Sequence, residues 1–133
     1  MDIIHRRTCV YKIGYHVVFC TKYRQGILNE RVARSVKKIL LAVAEEKGFA
    51  IRQMETGLDH VHLFVSAPPH ISISILVKWI KGISARQLFV MRPELKKKLY
   101  RGHLWNPSYY VGTVGDVSEK VVKKYIESQK KRA

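Results

Sequence analysis

The sequence predicts an α+β protein on a split βαβ plan, in which a four-stranded antiparallel sheet carries two helices on one face. Segments rich in β-branched and aromatic residues alternate with segments of helical apolar periodicity, in the order strand, helix, strand, strand, helix, strand, helix. A tight-turn signal, Gly57-Leu58-Asp59, joins the second strand to the third. This order is typical of a ferredoxin-like fold with one added C-terminal helix. The 133 residues fit one domain that spans residues 1–133.

The first strand and the first helix are predicted from their apolar patterns. Residues 10–21 carry apolar side chains on both parities, which is typical of a central strand covered on both faces. From Asn29 to Lys47 apolar residues recur at helical spacing, and Gly48 is placed to end this helix. The remaining elements are strands at 49–57, 60–66 and 109–114, a helix capped by Ser72 or Ser74 that ends before Pro93, and a last helix from about Glu119 to Lys130 opened by Ser118.

The charge balance indicates a polyanionic partner. The chain has 25 Lys and Arg residues against 10 Asp and Glu, and this net charge of +15 repels itself unless an anion neutralises it. Nucleic acid is the first candidate for that anion, ahead of a membrane surface. The excess is uneven: in residues 39–77 the basic side chains are Lys47 and Arg52, and the acidic ones are Glu45, Glu46, Glu55 and Asp59. This locally acidic stretch is where a metal site is expected.

The sequence gives no sign of a membrane span or of a disulfide framework. It has no run of about 18 or more uninterrupted apolar residues that could cross a bilayer. Residues 1–8 lack the apolar region of a secretory signal. Cys9 and Cys20 belong to no paired metal-binding spacing and are expected to be reduced thiols. We therefore expect a soluble, cytoplasmic protein with no membrane partner.

Two histidines of the third strand form the first candidate site. Side chains alternate along a strand, so His60 and His62 share one face of the sheet, whereas Val61 and Leu63 share the face under the helices. Neutral imidazoles are good ligands for divalent metals, but two histidines that hydrogen-bond on a polar sheet face give the same pattern. The residues alone leave both interpretations open.

The last helix carries a second candidate pair. Tyr125 and Gln129 are four residues apart and so lie on one helical face, where a phenol and an amide oxygen are presented to the same place. Taken alone, such a pair is also typical of packing plus a solvated amide. Its meaning depends on what the rest of the chain resembles.

Five sequence blocks match a known pattern over nearly the whole chain. In order they are Tyr15-His16 through Lys22-Tyr23-Arg24, Asp59-His60-Val61-His62-Leu63, Lys81-Gly82 with Ser84 and Arg86, Leu104-Trp105-Asn106-Pro107-Ser108-Tyr109, and Tyr125-Ile126-Glu127-Ser128-Gln129. With these blocks the chain resembles the IS200-like transposases, which are single-tyrosine HUH enzymes of small insertion sequences that move as single-stranded DNA.

The resemblance implies a reaction and the residues that perform it. In that family the histidine pair binds a divalent metal, Mg²⁺ or Mn²⁺, the tyrosine of the last helix is the nucleophile, and the glutamine completes the metal shell. These roles would fall on His60, His62, Tyr125 and Gln129. The implied reaction is the metal-dependent, ATP-independent cleavage and rejoining of single-stranded DNA at hairpin-marked ends through a 5′-phosphotyrosine. The resemblance also implies a homodimer, in which the tyrosine helix of one subunit can complete the site of the other.

The chain departs slightly from the family pattern at two positions. Asn106 stands where relatives often have serine, and Tyr110 stands where they often have phenylalanine. These departures bear on hairpin or target preference rather than on the chemistry. Three other aromatic residues, Trp79, Trp105 and Tyr109, lie in apolar segments and are predicted to be core or dimer contacts rather than base-stacking platforms.

Basic residues interleaved with aromatic ones are the candidates for DNA contact. Lys22, Tyr23 and Arg24 are placed to hold phosphates and stack a base, although solvated surface is the alternative for any one of them. Further candidates to hold the backbone of a DNA hairpin are Lys78, Lys81, Arg86 and the run Lys96-Lys97-Lys98. Asp59 and Glu55 are placed to orient the imidazoles by hydrogen bonds, or else to form the turn and stay solvated.

Two rival functions stay open at this point. A host-adopted relative that acts on chromosomal palindromes, or a rolling-circle nickase, keeps the same chemistry and differs in its biology. A non-enzymatic RNA-binding module uses the same topology, with a basic surface and exposed aromatic residues that stack bases. The central strand carries His60 and His62 in place of an aromatic RNP-type motif, which disfavours the RNA-binding module.

Overall fold

Four antiparallel strands form the central sheet in the computed structural model, which describes residues 4–5, 10–11, 14–113, 119–129 and 131. The strands within these ranges are β1 (Ile4–His5), β2 (Val10–Tyr11), β3 (Gly14–Cys20), β4 (Ala50–Thr56), β5 (His60–Ser66) and β6 (Tyr110–Thr113). The α-helices are α1 (Glu30–Lys47), α2 (Ile73–Met91), α3 (Glu94–Lys98) and α4 (Glu119–Ser128). The sheet order is β4-β5-β3-β6 with every neighbouring pair antiparallel. The predicted ferredoxin-like split βαβ fold is therefore confirmed.

The segment predicted as the first strand contributes to two sheets. Its beginning, β2, pairs with β1 in a small two-stranded sheet, and the central strand β3 starts only at Gly14. Gly14 pairs with Ser66, the last residue of β5, and Pro68 follows soon after. Both β2 and β3 fall within the segment 10–21 that was predicted as strand, and residues 12–13 between them lie outside the described residues.

One face of the sheet forms the core with α1 and α2. Val17 and Phe19 of β3 and Val61, Leu63 and Val65 of β5 are completely buried on this face. They pack against buried residues of the two helices, among them Val36, Leu40, Val43, Leu76, Ile80 and Leu88. Burying each such side chain contributes about 1.5–3 kcal/mol. The strand alternation that places these residues inward places the histidines on the opposite face.

The predicted caps fix the ends of α1 and the start of α2. The side chain of Asn29 accepts a hydrogen bond from the Val32 N–H at 2.9 Å, and Gly48 ends α1 with φ +81°, a left-handed conformation that suits glycine. Of the two serines proposed for α2, Ser72 is the cap, since its Oγ accepts from the Ile75 N–H at 3.2 Å. The helix ends at Met91, before Pro93 as predicted.

A short helix that the sequence did not predict follows α2. The basic stretch 94–101 forms α3 and then a 3₁₀ turn at residues 100–102. Leu95 and Leu99, four residues apart, are both buried in the core. Lysines surround them in the sequence, so the apolar pair was too short a signal for a helix prediction.

The last strand and the last helix carry the C-terminal part of the site. β6 pairs with β3 along the edge of the sheet, close to the predicted strand at 109–114, of which Val114 lies outside the described residues. The last helix, α4, begins at Glu119 and ends at Ser128; the predicted cap Ser118 and the predicted end Lys130 lie outside the described residues. Val122 of α4 is buried. Side chains of α4 line a cavity together with the histidines of β5, so α4 lies on the histidine face.

Candidate metal site and the tyrosine helix

The histidines of β5 line a cavity of about 710 Å³ on the sheet face opposite the core. His60 and His62 point to the same side because they are two residues apart on a strand, as predicted. α4 closes another side of the cavity. The lining residues are His16, Arg24, Glu55, Asp59, His60, His62, Val122, Lys123, Ile126 and Glu127. This cavity is the candidate metal site.

Asp59 holds His60 on one side and Arg24 on the other. Its Oδ1 lies 3.0 Å from His60 Nδ1, and its Oδ2 accepts a hydrogen bond from Arg24 Nε at 3.1 Å. Burial alone raises the Asp59 pKa, but the hydrogen bond from His60 and the charge of Arg24 outweigh it, so the pKa lies below its ordinary value. The ionised carboxylate accepts the His60 Nδ1–H and leaves the lone pair of Nε2 available. The predicted orienting role suits Asp59 in this geometry.

Arg24 reaches Asp59 from a strained turn. Tyr23 and Arg24 both have left-handed backbone conformations, with φ +56° and +52°, in the 3₁₀ turn of residues 22–24. Each costs roughly 1–2 kcal/mol for a residue with a side chain. Thr21 stabilises the turn, because its Oγ1 donates to the Gln25 carbonyl at 2.7 Å and its N–H donates to the Asp59 carbonyl at 2.9 Å. Arg24 was predicted as a DNA contact, yet its charge is already paired with Asp59.

His62 is paired with a third histidine, His16 of β3. The two rings are joined by a 3.0 Å contact between His16 Nδ1 and His62 Nε2. Burial lowers the pKa of His16, and burial followed by the charge of its histidine neighbours lowers that of His62, although Glu55 opposes this. Glu55 is more distant, with its Oε2 3.9 Å from His62 Nδ1. His16 belonged to a matched sequence block but was not predicted as a site residue, because only the β3–β5 register brings it to His62.

The donor set of this cavity fits a divalent metal with open coordination positions. Among the described residues, no group of three or more His, Cys, Asp and Glu side chains is arranged to hold an ion. The cavity instead offers two imidazoles, which suit Mn²⁺ and later transition metals better than Mg²⁺. Positions beyond these two would be filled by oxygen donors such as water, phosphate or an amide. His60 and His62 therefore fit the predicted role.

Tyr125 is held by the segment that precedes β6. Its hydroxyl lies 2.9 Å from Ser108 Oγ, and its ring centre lies 5.8 Å from that of Tyr110. Burial raises the Tyr125 pKa, and the hydrogen bond with Ser108 only partly opposes this effect. Tyr125 is not among the residues that line the histidine cavity.

Gln129 comes directly after α4, which ends at Ser128, and its Nε2 donates to the Tyr125 carbonyl at 3.4 Å. Its Oε1 accepts a hydrogen bond from Asn106 Nδ2 at 3.0 Å. Asn106 and Ser108 belong to one segment, so this segment holds both polar groups of the predicted catalytic face. The structure brings His60 together with His62 and Tyr125 together with Gln129, and neither Tyr125 nor Gln129 is in the lining of the histidine cavity.

Lys81 fixes the segment that holds Tyr125 and Gln129. Its ammonium donates to the carbonyl oxygens of Asn106 and of Ser108, the latter at 3.0 Å. Burial lowers the Lys81 pKa from 10.5 to about 8. Trp105 anchors the same segment, since its Nε1 donates to Ser84 Oγ at 3.0 Å and its ring packs edge-on against Phe19. Trp105 is therefore a core residue, as predicted, and Lys81, a predicted DNA contact, is engaged within the protein.

The other predicted DNA contacts lie nearer the solvent. Lys78 and Arg86 are exposed on α2, and Lys96, Lys97 and Lys98 are exposed on α3. Lys22 is half-buried, with its ammonium 5.1 Å from the centre of the Tyr23 ring. A second, shallower cavity of about 310 Å³ is lined by Ser74, Val77, Lys78, Lys81, Gly82, Pro107 and Tyr109. In the described part of the chain, no helix is long and apolar enough to cross a membrane.

The chain is similar in sequence to known transposases. A family model described as "Transposase IS200 like" matches residues 9–129. The chain belongs to the IS200-like transposase family. The ISDra2 transposase TnpA of Deinococcus radiodurans is 46% identical over 123 residues, which are 92% of this chain and 88% of that protein. The transposase of insertion sequence IS200 from Salmonella typhimurium is 35% identical over 115 residues, which are 86% of this chain and 75% of that protein.

Solved structures share the fold of this IS200-like transposase. A crystal structure of a Deinococcus radiodurans R1 protein described as a transposase has a TM-score of 0.91 at 40% identity, and covers 97% of this chain and 99% of that one. A REP-associated tyrosine transposase bound to a REP hairpin has a TM-score of 0.57 at 15% identity, and covers 96% of this chain and 69% of that one. The second likeness concerns the fold alone. The resemblance predicted from the five sequence blocks is confirmed.

Proposed function

We propose that this IS200-like transposase is an HUH enzyme that cuts and rejoins single-stranded DNA with Tyr125 as a covalent nucleophile. In this proposal His60 and His62 hold Mg²⁺ or Mn²⁺, and Gln129 supplies an oxygen ligand. The observation that carries the proposal is the pair of imidazoles on β5. They line one cavity with the flank of α4, the helix that bears Tyr125 and is followed directly by Gln129.

The reaction follows from the chemistry of a phenol and a phosphodiester. Tyr125 Oη attacks phosphorus, and as this O–P bond forms the bond to the leaving 3′ oxygen breaks, which gives a 5′-phosphotyrosine and a free 3′-OH. When bound, the metal ion supplies positive charge that polarises the scissile phosphate. Because the phosphotyrosine retains the energy of the broken diester, a 3′-OH can attack it and rejoin a strand without ATP.

The phenol proton has to be removed during the attack. Burial raises the Tyr125 pKa, so the phenolate is scarce at neutral pH and deprotonation has to accompany bond formation. The proton passes to water, because in the proposed dimer Tyr125 leaves the Ser108 Oγ that holds its hydroxyl at 2.9 Å in this structure. Asp59 and Arg24 hold His60 meanwhile, so the imidazole that faces the cavity keeps its orientation.

We propose a homodimer in which the site is completed between subunits. Within one chain Tyr125 contacts Ser108 and does not line the histidine cavity. A nucleophile has to come within about 3–3.5 Å of phosphorus in line with the leaving group. Donation of α4 to the histidines of a second subunit satisfies this requirement without disrupting β3–β6 pairing. The alternative is a rearrangement of α4 within one chain. Mixed dimers of Tyr125→Phe and His60→Ala subunits distinguish the two arrangements.

The proposed DNA partner is a single strand with hairpin ends. The net charge of +15 and the exposed basic residues of α2 and α3 suit a phosphate backbone. A structural neighbour with the same fold is bound to a REP hairpin. Lys78 and Arg86 are the best-placed backbone contacts because both are exposed on α2, whereas Lys22 and Tyr23 are placed to meet a base.

The test is covalent capture of the DNA. The protein is incubated with end-labelled single-stranded DNA that carries the terminal hairpins of its element, with Mg²⁺, Mn²⁺ or EDTA, and the products are separated on a denaturing gel. We expect a protein–DNA adduct that needs the metal and disappears in Tyr125→Phe. Tyr15→Phe is the matched control, because Tyr15 packs on the core side of the sheet and should leave the adduct unchanged. Tight DNA binding without any adduct would favour a binding module instead.

A further inference from the structure

The contact between His16 and His62 assigns His16 a part in the metal site. We propose that His16 is a positioning residue: it accepts the Nε2–H of His62 and so leaves the lone pair of His62 Nδ1 free for the metal ion. The inference rests on the proposed function in one respect, namely that His62 is a metal ligand. Neither the sequence blocks nor the family resemblance assigned His16 any role.

The first argument is the correspondence between the two histidines of β5. A ligating imidazole binds the metal through one nitrogen and donates the other N–H to an acceptor, which fixes its tautomer and its orientation. Asp59 is that acceptor for His60, 3.0 Å from Nδ1. His16 lies at the same distance from His62 Nε2. With both partners in place, each of His60 and His62 keeps one ring nitrogen outside these hydrogen bonds, and both residues line the same cavity.

The second argument is that His16 is well fixed. Its ring centre lies 4.9 Å from that of Phe64 and 5.2 Å from that of His62, both in tilted packing. Its backbone pairs on one side with Phe64 of β5 and on the other with Gly112 of β6, so it stands in the middle of the sheet. A rigid acceptor holds a ligand's orientation better than a mobile one does.

The third argument excludes the competing acceptor. Glu55, predicted from the sequence as a partner of the imidazoles, has its Oε2 3.9 Å from His62 Nδ1, which is too far for a hydrogen bond. Its side chain is 68% exposed and therefore free to turn into solvent. His16, rather than Glu55, is the hydrogen-bond partner of His62 in this structure.

The tautomer of His62 can be read directly in the metal-free protein. Long-range ¹H–¹⁵N correlation spectra of the imidazoles, recorded at mildly alkaline pH, distinguish a protonated Nε2 from a protonated Nδ1. We expect His62 to carry its proton on Nε2, and expect that preference to be lost in His16→Phe. A proton on Nδ1 in the unaltered protein would overturn the inference. This measurement does not depend on whether the protein cleaves DNA.

Metal affinity supplies the second readout. Mn²⁺ binding is measured by calorimetry for the unaltered protein, His16→Phe, His16→Gln and His70→Phe, where His70 is exposed in the loop before α2. We expect about 10–100-fold weaker binding in His16→Phe, the usual cost of losing such a partner. His16→Gln, whose amide oxygen can accept the same hydrogen bond, should recover most of the affinity, and His70→Phe should bind normally.

The outcomes separate this inference from the proposed function. Normal Mn²⁺ binding in both the unaltered protein and His16→Phe would overturn the positioning role and leave the metal site intact. Tighter binding in His16→Phe would overturn it as well, because His16 would then compete with the ion for His62. If the unaltered protein bound neither Mn²⁺ nor Mg²⁺, the metal-dependent function itself would fail, and the role of His16 with it. Thermal unfolding of each variant confirms that the sheet still forms.

Discussion

Asn106 donates a hydrogen bond to Gln129 across 3.0 Å, from Nδ2 to Oε1. The acceptor is the same amide oxygen that the proposed metal shell needs. Two residues further along the chain, Ser108 holds the hydroxyl of Tyr125. One segment before β6 therefore holds both the proposed ligand and the proposed nucleophile. In the proposed dimer both contacts would break when Tyr125 and Gln129 move to the histidines of the second subunit.

Replacing Asn106 should make the reaction faster. Asn106→Ser introduces the residue expected at this position from the family resemblance, and it removes the amide that holds Gln129. A net hydrogen bond contributes about 1 kcal/mol, so we expect adduct formation to accelerate about two- to fivefold. The rate is measured from the labelled adduct at saturating metal. A slower reaction in Asn106→Ser would mean that the contact positions Gln129 for catalysis instead of restraining it.

These contacts also show where sequence reasoning reached its limit. The alternation of His60 and His62 is a local pattern, and it was predicted correctly as a shared face. The spacing of Tyr125 and Gln129 is local too, but Gln129 lies just beyond the end of α4. The contacts of Asn106 and Ser108 with α4 join residues 23 and 17 positions apart and depend on how α4 packs. Periodicity carries no information about such pairs.

The missed elements have equally specific reasons. His16 contacts His62 because the strand register brings together residues 46 positions apart in the sequence. No local sequence pattern predicts this contact. Helix α3 depends on two buried leucines among lysines, a signal shorter than any helical window.

The ion pair between Arg24 and Asp59 should stabilise the fold. Its side chains are only 16% and 18% exposed. Arg24→Met should therefore lower the free energy of unfolding in urea by about 1–3 kcal/mol, because it leaves a buried carboxylate with fewer partners. Since the Asp59 pKa is lowered, this contribution is present at neutral pH and is lost as the pH falls from 3.8 through the folded-state pKa.

An exposed ion pair of the same type provides the control. Arg34 and Glu30 are 69% and 88% exposed on α1, four residues apart. Such pairs contribute only about 0.3–0.5 kcal/mol, so Arg34→Met should barely change the urea midpoint. Equal losses in Arg24→Met and Arg34→Met would show that burial of the Asp59 pair adds nothing.

Lys81 should make stability depend on alkaline pH. Burial lowers its pKa from 10.5 to about 8, so between these values the unfolded chain binds more protons than the folded one. The free energy of unfolding must then rise with pH in this window through Lys81. Cys20 and Tyr125 act in the opposite direction because burial raises their pKa values, and the comparison has to be made against a Lys81 variant.

Lys81→Met keeps the length of the side chain and removes the titrating group. Urea unfolding at a pH below 8 and at a pH near 10.5 gives the stability difference between the unaltered protein and the variant at each pH. We expect the difference to shift in favour of the unaltered protein at the higher pH. A difference that does not change with pH would mean that Lys81 titrates at its ordinary value and is not buried as a cation.

Specific lysines should account for the fall of DNA affinity with rising salt concentration. Lys78 is exposed on α2, and each phosphate contact that is lost reduces the slope of log affinity against log salt by about 1. Lys78→Ala should show this smaller slope with any single-stranded sequence. Lys37→Ala, on the exposed face of α1, is the matched control and should keep the slope. Equal changes in both variants would point to net charge rather than to a contact.

Mixed dimers should recover the activity that each inactive variant lacks. Tyr125→Phe keeps the histidines, and His60→Ala keeps the tyrosine, so neither forms the adduct alone. If α4 of one subunit serves the histidines of the other, a heterodimer of the two variants contains one complete site. Random pairing makes half of the dimers heterodimers with one of two sites intact, so about a quarter of the normal adduct is expected. Heterodimers demonstrated by affinity tags but without any adduct would place Tyr125 and His60 of the same chain in one site, reached by a movement of α4.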